Sequence, residues 1–327
     1  MKALITGANG QDASYLAEFL LEKKYEVYGT IRRNSVPESQ TTRIEKIHYE
    51  NKIKLMYLDL TDPGSVKNVI SDIKPDEIYH LGAQSHVKIS YELPKYTLDV
   101  NAGGTLSVLE AVKNFCPKCK VYNASTSEMY GNCSDEDGFQ RETTRMIPVS
   151  PYGCSKLFAY NLCHNYRNAY DMFICSGILF NHESPRRGVN FVTNKICFGA
   201  TKIKKGLEKK LVLGNLNAKR DWGHAKDFVR AMWLMLQQEK PDDYVVATGE
   251  SRSVLELVEY VFKKLNLDLK ENLETNSTYH RPEELDFLKG DGSKIRNLGW
   301  KPNYGFYEMI DEMLKYWENH EIFKRMQ

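Results

Sequence analysis

Apolar residues along this chain fall into short continuous runs, each closed by a turn and separated by stretches whose apolar positions recur three or four apart. Residues 2–6 form the first run and end at a glycine turn. Residues 11–24 follow with helical spacing, placing Tyr15, Leu16, Phe19 and Leu20 on one face. Further strands are predicted over 26–31, 54–58, 77–81, 120–125 and 172–179. Asp62 before Pro63 and Ser150 before Pro151 read as N-caps followed by proline at the first helical position. These signals open helices running to residue 73 and to about residue 170. Alternation of strand and helix implies parallel strands joined by crossovers, an α/β fold of the Rossmann-type doubly wound kind. Such sheets bind ligands beyond the carboxyl ends of their strands, so chemistry is to be sought in the segments just after each strand.

The pattern loosens after Leu179. Residues 181–217 and 281–300 are expected to be loop-rich, a smaller, mixed C-terminal substrate domain. Residues 227–237 have helical character and 244–247 strand character, and both are expected to return to the main sheet. The division is therefore 1–182 for the dinucleotide-binding domain, receiving parts of 221–250, and 183–327 for the substrate domain, with an interleaved boundary.

Composition narrows the function classes. In 327 residues, 45 Lys and Arg stand against 43 Asp and Glu, a net charge of +2. A phosphate-backbone binder carries a clear basic excess, so nucleic acid is not the expected partner. No apolar run approaches the ~18 residues that span a bilayer, and the longest, 172–180, reads as a buried strand. Gly7 and Gly10 interrupt the apolar start, so no secretion signal is expected and the location is read as cytoplasmic. The seven cysteines are then reduced thiols. Cys116 and Cys119 form one CxxC with no second pair at zinc-site spacing, so a plain turn is expected and no metal.

Gly7, Gly10 and Ala13 lie at three-residue steps between the first strand and first helix. Gly7 permits a tight turn, Gly10 lets the backbone approach a pyrophosphate, and Ala13 allows close packing of helix on strand. The helix N-terminus then offers free N–H groups and partial positive charge to phosphates. An NAD site usually places an acid after the second strand; here stand Arg32, Arg33, Asn34 and Ser35. Guanidinium groups suit a ribose 2′-phosphate, so NADP is the expected cofactor. Asp59, after the third strand, is a candidate for the adenine edge.

Tyr152 and Lys156 lie four apart at the start of a helix and so share a face. A phenol with a reference pKa of about 10 is a poor base. A neighbouring ammonium and a nicotinamide's positive charge would favour the phenolate, which suits proton removal from a sugar hydroxyl. The fifth strand ends near Thr126, which can hydrogen-bond the reacting hydroxyl, and Glu128, a carboxylate at the sheet's mouth able to act as general acid or base.

Together these features resemble the extended short-chain dehydrogenase/reductases and, within them, the GDP-mannose 4,6-dehydratase family. The resemblance rests on Gly7-Ala8-Asn9-Gly10-Gln11-Asp12, Leu81-Gly82-Ala83-Gln84-Ser85-His86-Val87 and Ala124-Ser125-Thr126-Ser127-Glu128. It continues through GILFNHESPRRG from Gly177 to Gly188, KRDWGHAKD from Lys219 to Asp227, and Arg281-Pro282 with Glu284 and Asp286.

The resemblance implies a redox-neutral reaction. Tyr152, helped by Lys156 and Thr126, would deprotonate the hydroxyl on carbon four while hydride passes to NADP+. Glu128 would remove the proton on carbon five and help the carbon-six hydroxyl leave as water, and the hydride would return to carbon six. By motif, Gly7, Asn9, Gly10, Gln11, Asp12, Arg32, Arg33, Asn34, Ser35, Asp59, Leu60, Leu81, Gly82, Ala83, Gln84, Ser85, Tyr96, Tyr152, Lys156, His182 and Arg187 would contact NADP. Ser85, Asn181, Val192, Lys195, Gly214, Arg220, Arg281 and Glu284 would contact a GDP-sugar substrate. The family implies a homo-oligomer, dimer or tetramer. Asn194 and Val149 stand where arginine is expected, which keeps another GDP sugar, such as a GDP-manno-heptose, as the alternative substrate. A 4-epimerase shares Tyr152 and Lys156 but has no need of Glu128, and a non-catalytic NADP-sensing protein needs none of the four. The five lysines within 201–210 are read as a solvated helix face, and His86 either as a sugar neighbour or as a loop hydrogen-bonding residue.

Overall fold

The computed structural model describes residues 1–35, 41–276 and 282–325. Six strands appear in the expected order: β1 (Lys2–Thr6), β2 (Glu26–Ile31), β3 (Ile53–Tyr57), β4 (Glu77–His80), β5 (Lys120–Thr126) and β6 (Ile174–Leu179). Seven shorter strands follow: β7 (Asn181–Glu183), β8 (Leu211–Leu213), β9 (Lys219–Arg220), β10 (Trp222–His224), β11 (Tyr244–Val246), β12 (Arg252–Ser253) and β13 (Leu273–Thr275). The central sheet runs β11-β6-β5-β4-β1-β2-β3, all parallel. Strand order reverses between β1 and β4, which opens a crevice at their carboxyl ends. Tyr244 pairs with Gly177 and Val246 with Leu179, so β11 does return to the sheet as expected.

Local chemistry explains the helix starts. The Asp62 carboxylate accepts from the Gly64 N–H at 2.9 Å, and Ser150 Oγ from the Gly153 N–H at 3.0 Å, each before a proline that has no N–H to satisfy. These caps begin the helices Pro63–Ile73 and Pro151–Tyr170. Every residue of β6 is buried, as a strand covered on both faces must be. The crossover between β4 and β5, for which the sequence reading made no assignment, holds the helices Val87–Glu92, Pro94–Leu98 and Gly104–Phe115.

The expectation of a loop-rich 181–217 is corrected. This stretch contains the 13-residue helix Val192–Lys204, whose face of Ile196, Cys197, Ala200 and Ile203 is buried. It packs with helices Val254–Leu265 and Phe306–Glu318 into a second core built on Leu211, Leu257, Phe262, Met313 and Trp317. The lysine-rich segment lies on the outside of this lobe. Lys202 pairs with Glu208 at 2.7 Å, Lys204 with Glu318 at 3.0 Å and Lys210 with Glu274 at 3.2 Å, the solvated role expected of them. Cys116 and Cys119 sit in a turn closed by Cys119 N–H donating to the Cys116 carbonyl at 2.8 Å.

Candidate active site

A cleft of about 410 Å³ opens at the carboxyl ends of β1, β4, β5 and β6, with the second lobe as its far wall. Its floor is the glycine turn. Gly7 has φ +69°, and a Cβ there would lie 2.9 Å from Gly82 Cα, so both the backbone angle and the space require glycine. Gly10 is the N-cap of the helix Gln11–Glu22 and contributes no side-chain cap, which leaves the helix's first N–H groups directed at the cleft.

Two side chains of this helix reach the second lobe. Gln11 donates to the His182 carbonyl at 3.1 Å and accepts from Ser184 Oγ at 2.7 Å. Asp12 meets His182 Nε2 at 2.7 Å. Burial opposes both charges, but each partner's charge and hydrogen bond more than offset it. Asp12 is therefore held below the usual carboxylate range and His182 above the usual imidazole range.

The proton-handling cluster comes from β5 and the helix Pro151–Tyr170. Thr126, Glu128 and Tyr152 are each 8% exposed, and Lys156 is 7% exposed, all lining the cleft. Gly153 explains how they meet. A Cβ there would lie 2.8 Å from the Glu128 carbonyl oxygen, so only glycine lets the tyrosine helix settle against the glutamate turn. Thr126 Oγ1 accepts from the Glu128 N–H at 3.2 Å and also hydrogen-bonds Tyr152. Lys156 Nζ donates to the Ala124 carbonyl at 2.9 Å.

Among the protein's own groups, burial pushes the Tyr152 phenol up to about 12, the Glu128 charge adds to this, and the Thr126 hydrogen bond and Arg187 charge only partly oppose it. Burial likewise pushes the Lys156 ammonium down to about 8. A protein interior disfavours either charged form until a counter-charge arrives.

The wall facing the glycine turn carries Asn181 and His182 and, from the second lobe, Glu183, Arg187, Val192, Lys195, Gly214, Arg220 and Glu284. Arg187 pairs with Glu183 at 3.1 Å and lies 3.6 Å over the Phe191 ring. Arg220 donates to the Leu285 carbonyl at 2.7 Å and pairs with Glu284 at 3.2 Å, which fixes its guanidinium beside the cleft. Leu81, Ala83 and Ser85, after β4, line the facing wall.

The remaining sequence-predicted residues surround this cleft without lining it. Arg32 donates to the Tyr96 hydroxyl, so two expected phosphate-side residues meet each other. Arg33 lies 5.9 Å over the Tyr57 ring and donates to the Asn34 carbonyl at 2.8 Å; Ser35 follows at the exposed end of the same segment. Asp59 Oδ1 accepts from the Thr61 N–H at 2.9 Å, capping its turn. Leu60 packs under Gly82, where a Cβ would lie 3.0 Å from Leu60 Cδ1. Gln84 is pinned by Asn101 and Thr97, and the Asn9 carbonyl accepts from Arg43 at 2.9 Å. Arg281 lies outside the described residues.

Asn194, expected beside the sugar-nucleotide segment, is fully buried and donates to the Arg187 carbonyl at 2.5 Å while accepting from Trp317 Nε1 at 2.5 Å. It braces the wall from behind. His86 lines the cleft, and its Nδ1 accepts from the Ile89 N–H at 3.3 Å, the local hydrogen bond that was one of its two expected roles. Sequence reasoning missed Lys88, Glu183 and Phe191 as cleft residues. Glu183 lies inside a motif already singled out, and its four-residue spacing from Arg187 was the available signal.

Comparison with known proteins agrees with this architecture. A family model described as GDP-mannose 4,6 dehydratase matches residues 4–313. GDP-mannose 4,6 dehydratase 2 of Arabidopsis thaliana is 52% identical over 99% of this chain and 88% of its own length. The human GDP-mannose 4,6 dehydratase is 50% identical over 95% of this chain and 90% of its own length. Among solved structures, a Thermus thermophilus UDP-glucose 4-epimerase in complex with NAD superposes with a TM-score of 0.85 at 25% identity, covering 98% of this chain and 100% of that one.

Proposed function

Because this chain belongs to the GDP-mannose 4,6-dehydratase family, we propose that it converts GDP-mannose to GDP-4-keto-6-deoxymannose and water, a carbon–oxygen lyase using NADP. The observation that carries the reading is Glu128 beside Thr126 and Tyr152 in one cleft. Alcohol oxidation needs a base and a lysine; only elimination needs the additional carboxylate.

The residues present fit NADP. Gly7, Gly10 and Gly82 pack the turn closely, since a Cβ at each would meet neighbouring protein atoms at 2.9, 3.2 and 3.0 Å, and the uncapped helix N-terminus faces the cleft beside them. Arg32, Arg33, Asn34 and Ser35 would hold the 2′-phosphate, Asp59 and Leu60 the adenosine side, and Tyr152, Lys156, His182 and Arg187 the nicotinamide half. Bound there, NADP would supply reversible acceptance of a hydride and a transient positive charge beside Tyr152. The Tyr152 oxygen would take the proton from the carbon-four hydroxyl, with Thr126 holding that oxygen in place. Lys156, already committed to the Ala124 carbonyl, would keep a positive charge behind the phenolate. Once carbon four is a ketone, the carbon-five proton is acidic, and Glu128 would take it and return a proton to the departing carbon-six hydroxyl. Arg220, Lys195 and Arg281 would face the diphosphate, while Ser85, Asn181, Val192, Gly214 and Glu284 would place the sugar and nucleoside.

The two lobes divide the work accordingly. Residues 1–182 with parts of 221–250 would hold the cofactor, and 183–327 the sugar nucleotide. Leu93, Leu98, Leu106 and Phe158 are exposed large apolar side chains on or beside neighbouring helices. They support assembly as a dimer or tetramer, and a cytoplasmic location fits a nucleotide-sugar substrate. The test is incubation of the purified protein with GDP-mannose. A product lighter by one water, with no net accumulation of NADPH, is expected. Unchanged mass with an altered sugar would replace the reading with epimerisation, and turnover of a GDP-manno-heptose alone would move the substrate. Glu128→Gln should retain partial oxidation and lose dehydration; full dehydration by that variant removes Glu128 from the reaction.

A further inference from the structure

The loop after β4 is fixed by its own hydrogen bonds. The Gln84 N–H donates to Asn101 Oδ1 at 2.9 Å, the Asn101 side chain donates back to the Gln84 carbonyl at 3.0 Å, and Gln84 Oε1 accepts from the His86 N–H at 2.6 Å. His86 then caps the helix Val87–Glu92 and sets its ring 5.4 Å from Phe191 of the opposite wall. Lys88 stands in the first turn of that helix and lines the cleft from the first lobe. Lys195 lines it from the second lobe, in the first turn of the helix Val192–Lys204.

Like charges approach across a cleft only at a cost that an anion between them removes. Two arginines share the cleft with them, Arg187 paired with Glu183 and Arg220 with Glu284. Lys195 is held below the ordinary lysine range, first by burial and then by the charge of Lys88, which shows that the two ammonium groups act on each other. A nucleoside diphosphate brings two negative charges on adjacent phosphates. Each of these charges can be met by a cation from one wall.

We infer that Lys88 is a substrate-recognition residue, which together with Lys195 clamps the diphosphate between the two lobes. The inference rests on the proposed nucleotide-sugar function and adds to it a first-lobe cation for the diphosphate. It makes Lys88 a binding group for the anion; it takes no part in proton transfer. A lysine serves here because a point charge on a long flexible stem can reach phosphate oxygens from its own wall.

Calorimetric titration of the holoenzyme, loaded with its own cofactor, tests this with GDP, UDP and guanosine as probes. Lys88→Gln should weaken GDP binding roughly tenfold, the scale of one charge-assisted contact at a half-open site. It should leave guanosine binding unchanged, and Lys88→Arg should restore most of the GDP affinity. Retained cofactor content in each variant shows that the fold is intact. GDP binding by Lys88→Gln within twofold of the parent overturns the inference, as does an equal loss for guanosine. If the parent protein binds UDP but not GDP and Lys88→Gln loses UDP, the clamp stands and the guanine assignment falls.

Discussion

The proposed reaction calls for Lys156, whose burial is costly to the fold, and that conflict can be measured. Its ammonium is buried against a single carbonyl, and burial pushes it down to about 8, against an ordinary value near 10.4. Between these values the unfolded chain binds more protons at this residue than the folded chain does, so stability rises with pH across that window. Taking 8 folded and about 10.4 unfolded, the gain between pH 7 and pH 9.5 is about 2 kcal/mol. For a chain of this size that is roughly 3 °C in Tm. Lys156→Met removes the titrating group while keeping the length of the side chain. The hydrogen bond to Ala124 is lost in the variant at every pH, so it cancels from the pH dependence. Thermal melts of cofactor-stripped wild-type and variant protein, recorded from pH 7 to pH 9.5, should show the wild-type gaining about 3 °C relative to Lys156→Met. Activity should fall by at least a hundredfold throughout. Melting curves that keep a constant separation, within 1 °C or so, over this range would falsify the claim that burial holds this ammonium at the edge of neutrality.

The glycine turn yields a second prediction. Gly7 and Gly138 both have positive φ, but a Cβ at Gly138 meets nothing within 4 Å, whereas one at Gly7 meets Gly82 Cα at 2.9 Å. Gly138→Ala should cost about 1 kcal/mol and Gly7→Ala at least 1 kcal/mol more, with loss of dinucleotide binding; equal costs in denaturant melts would show that overlap with Gly82 is not what fixes glycine there. Glu183→Gln leaves Arg187 without its buried partner and should destabilise by about 3 kcal/mol. Adding Arg187→Gln should recover part of this, and strictly additive losses in the double-mutant cycle would rule out coupling between the pair. Arg32→Ala should weaken NADP binding by roughly 10- to 100-fold while leaving NAD binding unchanged; equal weakening of both in fluorescence titrations would take the 2′-phosphate away from Arg32.

How much of this site the sequence disclosed follows from what each residue type needs of its neighbours. The sheet was legible because its strands are short apolar runs and its helices carry local start signals. Asp62 and Ser150 cap where proline follows, and the cap needs nothing from the rest of the chain. Thr126, Glu128, Tyr152 and Lys156 were legible because they fall at the end of a strand and the start of a helix that any parallel sheet brings together. The helix Val192–Lys204 was not. Its buried face of Ile196, Cys197, Ala200 and Ile203 is interleaved with lysines and lacks a side-chain cap at Phe191, so neither periodicity nor a start signal stands out. The upward push on Tyr152 from burial was hidden in the sequence for a similar reason. Four-residue spacing places Lys156 on the same helix face, but burial and the competing carbonyl of Ala124 depend on the strand behind it. Lys88 was invisible for the most general reason: one lysine on a short helix means nothing until the opposite wall is known. The residues proposed for bond chemistry are thus readable from local order, because their geometry is set within one crossover. Those proposed to recognise the substrate across the cleft are set by where a second core, around Leu257, Met313 and Trp317, holds the far wall. Substrate choice can therefore shift by repacking that core while the proton-handling cluster of the first lobe stays in place.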